Sequence, residues 1–291
     1  NAGGGYSRWK DIAVTRWRED ATSDNWGSFC YIRDVASGVY WSTAYQPVCK
    51  ASKEYEAIFS EGRAEFRRRD EDIDTHSEIA VSPEDDAELR RITITNHSGT
   101  ARTIDITSYG EVVLASADAD ALHPAFSNLF VQTEIIRQHG AIIASRRPRS
   151  IDEQPPWMFH VMAVHGARTG EMSYETDRLR FIGRGNTTAA PEAMNSLSPL
   201  SGSEGAVLDP IVAIRCRITL EPETSATVNI VTGVVEGRDD CMRLVAKYQD
   251  RYLADRVFEL AWTHSQVLLR QINSTEADAQ SGGVDTLVAP Q

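Results

Sequence analysis

The 291-residue sequence lacks several features that would assign a protein to a class at once. It has no apolar run near the roughly 20 residues that a membrane-spanning helix needs. Its four cysteines, Cys30, Cys49, Cys216 and Cys241, include no Cys-x-x-Cys pair. Scattered cysteines in a large chain are typical of reduced, buried thiols, not of a disulfide framework or a zinc site. This usage favours a reducing, cytosolic compartment.

Motifs of common active sites are missing as well. There is no His-Glu-x-x-His, no Gly-x-Ser-x-Gly and no phosphate-binding loop ending in Gly-Lys-Ser/Thr. Acidic pairs such as Asp239 and Asp240 are sequence neighbours, whereas glycoside chemistry needs two carboxylates on opposite sides of a cleft. The sequence therefore predicts no catalytic residue, no metal site and no cofactor in this chain.

Positive charge is in short supply. The sequence has 42 acidic and 30 basic residues, which gives a formal net charge of −12. Such a chain gains nothing from counterion release on DNA or RNA, and anionic membrane surfaces repel it. We therefore expect no nucleic-acid partner.

What the sequence does contain is strand character, in about fourteen short runs from residue 28 to residue 236. β-Branched and polar residues alternate on both sides of turn-rich segments, and this pattern predicts four hairpins. The paired runs are 29–33 with 39–41, 91–95 with 102–107, 129–135 with 141–144, and 211–220 with 227–235. Many antiparallel strands without intervening helices need two packed sheets, so the predicted fold is a large β-sandwich.

The pattern changes in three places. Residues 115–128 predict a long connection or a short helix, and the Gly/Ser/Asn-rich residues 183–205 predict a long functional or mobile loop. Residues 239–248 and 253–271 have helical spacing. The predicted division is a sandwich domain over residues 1–236, a helical linker over 237–273 and a flexible tail over 274–291.

The first twenty residues are the best candidate for function. They combine glycines, aromatic rings and cations, which suit the apolar faces and hydroxyl edges of a sugar. The residues are Gly3, Gly4, Gly5, Tyr6, Arg8, Trp9, Lys10, Arg16, Trp17 and Arg18. Read as one continuous strand, the segment places Trp9 and Trp17 on the same face. The pattern equally fits two tryptophans packed inside the sandwich, and both interpretations stay open at this point.

Ordered motifs along the chain resemble a known family. They include 3–7 (GGGYS), 31–34 (YIRD), 45–47 (YQP), 63–70 (RAEFRRRD), 80–86 (AVSPEDD), 107–114 (TSYGEVVL), 123–127 (HPAFS), 174–177 (YETD), 180–185 (RFIGRG), 206–210 (AVLDP) and 259–265 (ELAWTHS). They are similar to the N-terminal sandwich of the glycosyltransferase family 36 or cellobiose phosphorylase family. In particular they resemble the phosphorylase-like region of cyclic β-1,2-glucan synthetases of the NdvB type. The resemblance covers about residues 1–280.

The resemblance implies a galactose-mutarotase-like "supersandwich" and a helical linker, followed in the family by an (α/α)6 barrel that carries the catalytic acid. This chain would then be a non-catalytic, carbohydrate-associated domain that supports glucan binding and chain-length control by that barrel. Inorganic phosphate would serve the parent enzyme, at the cytoplasmic face of a bacterial inner membrane. A stand-alone carbohydrate-binding module is the alternative.

The same resemblance supplies the expected partners and places residues 3–9 nearest the sugar, and the composition of the first twenty residues adds Arg16 and Trp17 to the candidate site. The partners are a β-glucan or oligosaccharide, the adjacent barrel and a second copy in a homodimer. The expected substrate-binding residues are Gly4, Gly5, Tyr6, Arg8, Trp9, Arg16 and Trp17.

Overall fold

The computed structural model describes residues 3–20, 22–23, 25–148, 150 and 153–271. These residues form sixteen strands and five α-helices. The strands are β1 Arg8–Trp9, β2 Ile12–Thr15, β3 Phe29–Asp34, β4 Tyr40–Ser42, β5 Glu54–Ser60, β6 Arg63–Asp70, β7 Ile73–Val81, β8 Ala87–Asn96, β9 Arg102–Ala115, β10 Val131–Ile136, β11 Ala141–Arg146, β12 Trp157–His165, β13 Arg168–Thr169, β14 Ser173–Asp177, β15 Pro210–Leu220 and β16 Ser225–Val235. The helices are α1 Ala117–Leu122, α2 Pro124–Asn128, α3 Arg178–Ile182, α4 Arg238–Lys247 and α5 Arg251–Gln271.

The strands form two antiparallel sheets of eight strands each. The first sheet runs β1-β2-β9-β15-β13, with β14 also paired to β15, β3 to β9, and β4 to β3. The second sheet runs β10-β11-β12-β16-β8-β7-β6-β5. The predicted class, an all-β sandwich followed by C-terminal helices, is confirmed.

The main core lies between the sheets and follows from residue alternation. Ile92 and Ile94 of β8 point inward from the second sheet, and Ile104 and Ile106 of β9 point inward from the first. All four are fully buried in one cluster, because every second residue of a strand faces the same side. A strand pattern with aliphatic residues at alternate positions therefore becomes one wall of the core.

Two of the four predicted hairpins are confirmed and two are wrong. β3 pairs with β4, and β10 pairs with β11. β8, however, pairs with β7 and β16, while β9 pairs with strands of the first sheet. Likewise β15 and β16 lie in different sheets. In both wrong cases the turn-rich segment crosses from one sheet to the other, and a short alternating pattern looks the same in either arrangement.

Asn96 hydrogen-bonds to both segments that cross between the sheets, the one after β8 and the one after β15. Its side-chain amide donates to the carbonyl oxygens of Thr100, Leu220 and Glu221, at 2.9, 3.1 and 3.2 Å. Its backbone N–H donates to Thr224, and its carbonyl accepts from Glu223. Asn96 itself is fully buried, so its amide depends on these protein acceptors in place of water.

Asn96→Ala is therefore expected to lower the free energy of unfolding by about 2 kcal/mol, because the buried carbonyl of Leu220 loses its donor and two part-buried carbonyls lose theirs. Urea denaturation measures this change. The matched control is Ser98→Ala in the same turn, which removes a hydroxyl bonded to Asn96 and Thr100 and should cost about 0.5 kcal/mol. Equal losses in the two variants would contradict the role given to Asn96.

The outer face of the second sheet is covered by α4 and α5. Tyr248, Val257, Phe258 and Ala261 pack with strand residues such as Phe159 in a second apolar cluster. The predicted helices are confirmed within two residues of their expected bounds. The linker boundary at 237 stays a prediction, and the predicted tail, 274–291, lies outside the described residues. Within the described part of the chain, no helix is long and apolar enough to cross a membrane.

The outer face of the first sheet is covered by α3 and the loop after it. Phe181 and Met194 pack on Tyr31 and Tyr109 in a third cluster. Buried Arg215 of β15 donates to loop carbonyls, including that of Ala193 at 2.6 Å. The segment predicted as a functional or mobile loop thus has a packing role.

The cysteine prediction is confirmed in part. Cys30, Cys216 and Cys241 are buried free thiols, whose pKa values are raised by burial to about 12, 11 and 12. Cys49 is also free but exposed, which corrects the expectation of four buried thiols.

Candidate functional site

The N-terminal segment folds as a hairpin, which corrects the interpretation of a single strand. Trp9 pairs with Ile12 across a tight turn at Lys10, whose φ is 52°. The turn breaks the alternation that would have placed both tryptophans on one face. Trp9 now packs against the core between the sheets, whereas Trp17 lies beyond the end of β2 at the surface.

The glycines before the hairpin allow close approach of two backbone segments. A Cβ added to Gly3, whose φ is 91°, would collide with Ala44. A Cβ on Gly27 would lie 2.6 Å from the backbone of Gly5, and Ser28 donates to the Gly5 carbonyl at 3.0 Å. Gly4 also lies against Gly27, 3.3 Å from the position of that added Cβ. Packing therefore explains Gly3 and Gly27, whereas a Cβ added to Gly5 would meet nothing within 4 Å.

Tyr6 and Trp17 form an exposed aromatic pair. Their ring centroids lie 5.4 Å apart with an interplanar angle of 16°, which is a stacked arrangement. The two side chains are 43% and 41% exposed. Arg18 follows Trp17 in the chain, and its guanidinium lies 5.2 Å from the ring centroid of Trp26. Stacked rings flanked by cationic donors can bind a ring-shaped polar ligand through its apolar face.

Trp9 and Arg8 lie on the hairpin itself. The indole N–H of Trp9 donates to Asp86 at 2.7 Å, and the ammonium of Lys10 lies 4.0 Å from the ring centroid. One edge and one face of this ring are therefore already in contact with protein groups. Arg8 is exposed and donates to the Lys10 carbonyl at 3.0 Å, so its guanidinium remains at the surface.

Arg16 lies at the centre of a buried ion-pair cluster. It is 4% exposed and donates to Glu111 at 2.7 Å, Asp120 at 2.9 Å and Asp209 at 3.3 Å. It also donates to the Asn128 side-chain oxygen at 2.8 Å. A ligand would reach Arg16 only by displacing these groups, so in this structure Arg16 anchors the segment that carries Trp17.

A second arginine completes this Arg16 cluster. Arg178 donates to Glu111 at 2.7 Å and lies 3.7 Å from Asp209, while the hydroxyl of Tyr109 donates to Glu111 at 2.7 Å. The members come from β9, α1, α2 and α3, from the residue after β2 and from the residue before β15. The cluster therefore fixes the exposed Tyr6–Trp17 pair relative to one end of the first sheet.

The charges of the Arg16 cluster shift one another's pKa values. Burial alone would lower the pKa of Arg16, but the hydrogen bond to Asp120 and the charges of Glu111 and Asp120 outweigh it and raise the pKa. Burial alone would raise the pKa of Glu111, but the charges of Arg178 and Arg16 lower it. Asp209 shows the opposite balance, because burial and the charge of Glu111 raise its pKa.

Sequence reasoning placed Arg16 in the candidate site and missed its partners. Glu111 and Asp209 lie inside two of the motifs that carried the family resemblance, TSYGEVVL and AVLDP, but had no role assigned. They are 95 and 193 residues from Arg16 along the chain. Only the pairing of β2 and β15 with β9 brings them together.

One group of potential metal ligands occurs among the described residues. Donor atoms of Glu65, His76 and Glu78 lie within 4.8 Å of one another. Arg63 already pairs with both glutamates at 2.8 and 2.9 Å, and Arg67 pairs with Glu65 at 3.2 Å. The carboxylates are thus neutralised by arginines, and the arrangement is an ion-pair network on the sheet surface.

Sequence comparison identifies the family of this sandwich. The profile of the glycosyl hydrolase 94 supersandwich domain matches residues 1–251. The chain belongs to that family. The expected resemblance to this group of proteins is thereby confirmed.

Three curated relatives of this supersandwich domain are similar over most of its length. It is 34% identical over 279 residues to the cyclic beta-(1,2)-glucan synthase NdvB of Rhizobium meliloti strain 1021, covering 96% of the chain and 10% of that protein. It is 26% identical over 290 residues to an N,N'-diacetylchitobiose phosphorylase of Vibrio proteolyticus, covering 98% and 34%. It is 24% identical over 219 residues to a solabiose phosphorylase of Paenibacillus borealis, covering 75% and 27%. The chain thus spans about a third or less of each relative.

Proposed function

We propose that this chain is a non-catalytic, carbohydrate-associated domain that presents a rigid aromatic surface to a β-glucan. The observation that carries the proposal is the exposed Tyr6–Trp17 stack, with its ring centroids 5.4 Å apart. The C–H face of a glucose ring would pack on such a stack, and the exposed guanidinium groups of Arg8 and Arg18 would donate to its hydroxyl oxygens.

The proposal extends to the longer protein. The named relatives are a glucan synthase and two disaccharide phosphorylases, and each is at least about three times as long as the region matched here. We place the catalytic acid and the inorganic phosphate in an adjacent (α/α)6 domain, and give this domain a part in binding glucan and in controlling chain length. The parent would lie at the cytoplasmic face of an inner membrane.

The rigidity of the Arg16 cluster supports this role. A binding surface loses less entropy on association when its side chains and backbone are already fixed. The strand that leads to Trp17 is held at Arg16 by four side chains and by a backbone bond to Glu111 at 2.9 Å. Substrate-binding roles for Gly4, Gly5 and Trp9 would be secondary, because these residues already make packing contacts within the protein.

Titration of the chain with linear β-1,2-glucan tests the proposal. Tryptophan fluorescence should change saturably, and Trp17→Ala should weaken binding by about five-fold, since losing one stacking contact costs about 1 kcal/mol. The matched control is Trp262→Ala, which removes another exposed tryptophan, 61% accessible, from α5, the helix that packs on the second sheet. It should leave the affinity unchanged.

Two results would count against the proposal. One is the absence of any saturable change in the wild-type chain. The other is release of glucose 1-phosphate from glucan and phosphate by this chain alone, because the domain would then be catalytic.

A stand-alone carbohydrate-binding module is the second candidate, and the same exposed stack favours it. The two candidates differ in what a longer chain carrying the next domain should do. A stand-alone module predicts an unchanged dissociation constant. Our proposal predicts tighter binding, because residues of both domains would contact the glucan.

A further inference from the structure

Three consecutive acidic residues, Glu84, Asp85 and Asp86, lie in the turn between β7 and β8 and are called the acidic turn below. The Ser82 hydroxyl accepts the backbone N–H groups of Glu84 and Asp85, each at 3.2 Å. The Asp86 carbonyl accepts the N–H of Val234 at 2.9 Å. The backbone of the acidic turn is therefore held in one shape, while its three side chains bond to different parts of the protein.

Asp85 and Glu84 bind the two C-terminal helices. At the end of α4, the Asp85 carboxylate accepts from the ammonium of Lys247 at 2.6 Å and from the hydroxyl of Tyr248 at 2.7 Å. Tyr248 is fully buried, and burial together with this bond raises its pKa, so its hydroxyl stays a donor. Glu84 pairs with Arg256 of α5 at a more exposed position. The helices are thus fixed mainly through Asp85, because exposed ion pairs contribute little.

Asp86 binds the N-terminal hairpin instead. Its carboxylate accepts the indole N–H of Trp9, on β1, at 2.7 Å. Close by, the hydroxyl of Ser7 donates to Glu88 of β8 at 3.1 Å. Neighbouring residues of one short turn therefore hold both the hairpin and the helices, which come from opposite ends of the chain.

The hairpin connects the two rings of the exposed aromatic pair. Tyr6 lies two residues before β1, and Trp17 lies two residues after β2. At the Trp17 end the chain is anchored by the Arg16 cluster. The bonds to Asp86 and Glu88 hold the end that carries Tyr6.

We infer that the acidic turn is a positioning element, which fixes the Tyr6–Trp17 pair relative to α4 and α5. When Asp85 loses its bonds to α4, the turn opens more often, and Asp86 then releases Trp9. The coupling is reciprocal, because two sets of bonds that stabilise the same turn stabilise each other. The inference rests on the proposed function only for the ligand of the aromatic pair.

Tyr248→Phe tests this coupling, because it removes one hydroxyl and keeps the buried ring. Hydrogen–deuterium exchange of the full chain is measured in the hairpin segment, residues 7–15, where the Val14 N–H donates to the Ser7 carbonyl at 2.9 Å. Exchange in this segment should be about five-fold faster than in the wild type, although Tyr248 itself belongs to the helical region.

Tyr31→Phe is the matched control. It also removes one buried hydroxyl, which donates to the Thr188 carbonyl at 2.7 Å on the outer face of the first sheet. Its effect on overall stability should be similar, but exchange in residues 7–15 should stay at the wild-type rate. In the reciprocal variant, Asp86→Ala, exchange in residues 244–254 should be faster than in the wild type.

Two results would overturn the inference. One is wild-type exchange of residues 7–15 in Tyr248→Phe. The other is an equal acceleration in Tyr31→Phe, because the effect would then be a general loss of stability.

Titration with linear β-1,2-glucan separates this inference from the proposed function. Tyr248→Phe should weaken binding by about two-fold, because the aromatic pair is less fixed. Faster hairpin exchange in a chain that binds no glucan would support the positioning role and reject the proposed function. Glucan binding with unchanged hairpin exchange in Tyr248→Phe would do the reverse.

Discussion

Replacing Arg16 with methionine is expected to lower the free energy of unfolding by about 3 to 5 kcal/mol, because it leaves buried carboxylates without their counter-charge. Glu111 and Asp120 are nearly as buried as Arg16 itself, with side-chain exposures of 4% and 8%. Arg178 would remain beside Glu111, but among the described residues Asp120 would keep only the ion pair with Arg18, at 3.9 Å. The loss is large because a buried charge cannot recover its hydration when its partner is removed.

Urea denaturation at neutral pH measures this loss, and Arg18→Met is the matched control. Arg18 also faces Asp120 but is 41% exposed, so its removal should cost less than about 1 kcal/mol. Arg16→Lys should recover part of the stability, because an ammonium keeps the charge but not the forked geometry. Similar losses in Arg16→Met and Arg18→Met would show that the Arg16 cluster contributes little to stability.

The same variant also connects stability to the candidate site. Trp17 follows Arg16 directly, and its ring stacks on Tyr6. When the Arg16 cluster is lost, the backbone that presents Trp17 loses its anchor. In Arg16→Met we therefore expect weaker glucan binding even where the protein remains folded. The variant keeps Trp17, so the weaker binding would come from the lost anchor and not from a lost ring.

The fold class could be predicted from the sequence, whereas the connections between strands could not. Alternation at Ile92, Ile94, Ile104 and Ile106 requires each strand to bury one face. It does not say whether the next strand returns beside the first or crosses to the opposite sheet. Asn96 stabilises the arrangement in which both segments cross to the opposite sheet, because it hydrogen-bonds to each of them. Its partners Leu220 and Glu221 are more than 120 residues away along the chain.

The candidate site shows the same limit. Local composition identified the aromatic and basic segment, and Tyr6 and Trp17 are indeed exposed. The alternation argument failed at Lys10, where a positive φ turns the chain. The role of Arg16 depends on carboxylates brought in by β9 and the residue before β15, so no local pattern could distinguish it from exposed Arg18.

Acidification should destabilise the protein through His160, which lies on β12 between the two sheets. Burial, together with the charge of Arg90, lowers the pKa of His160 from 6.5 to about 3. Its two ring nitrogens lie 2.8 Å from the hydroxyls of Thr232 and Ser108, so the neutral ring is held in the folded state. In the unfolded chain the same residue takes up a proton near its ordinary pKa.

The direction of the pH dependence follows from this difference between the pKa values of His160 in the folded and unfolded states. Above about pH 6.5 the ring is neutral in both states and contributes no pH dependence. As the pH falls below that value, the unfolded state gains a proton that the folded state does not, and stability is lost until the pH reaches about 3. At about pH 4.5 the loss from His160 alone should be about 2 to 3 kcal/mol.

His160→Gln isolates this contribution, because glutamine can bond to both hydroxyls and cannot take up a proton. Carboxylates such as Glu111, whose pKa is lowered, also reduce stability in acid, but they are the same in both proteins. The quantity to measure is therefore the difference between wild type and variant in urea denaturation at neutral pH and at about pH 4.5. The variant should be less stable at neutral pH and should lose about 2 to 3 kcal/mol less on acidification. Parallel pH profiles for the two proteins would mean that His160 is protonated within the fold.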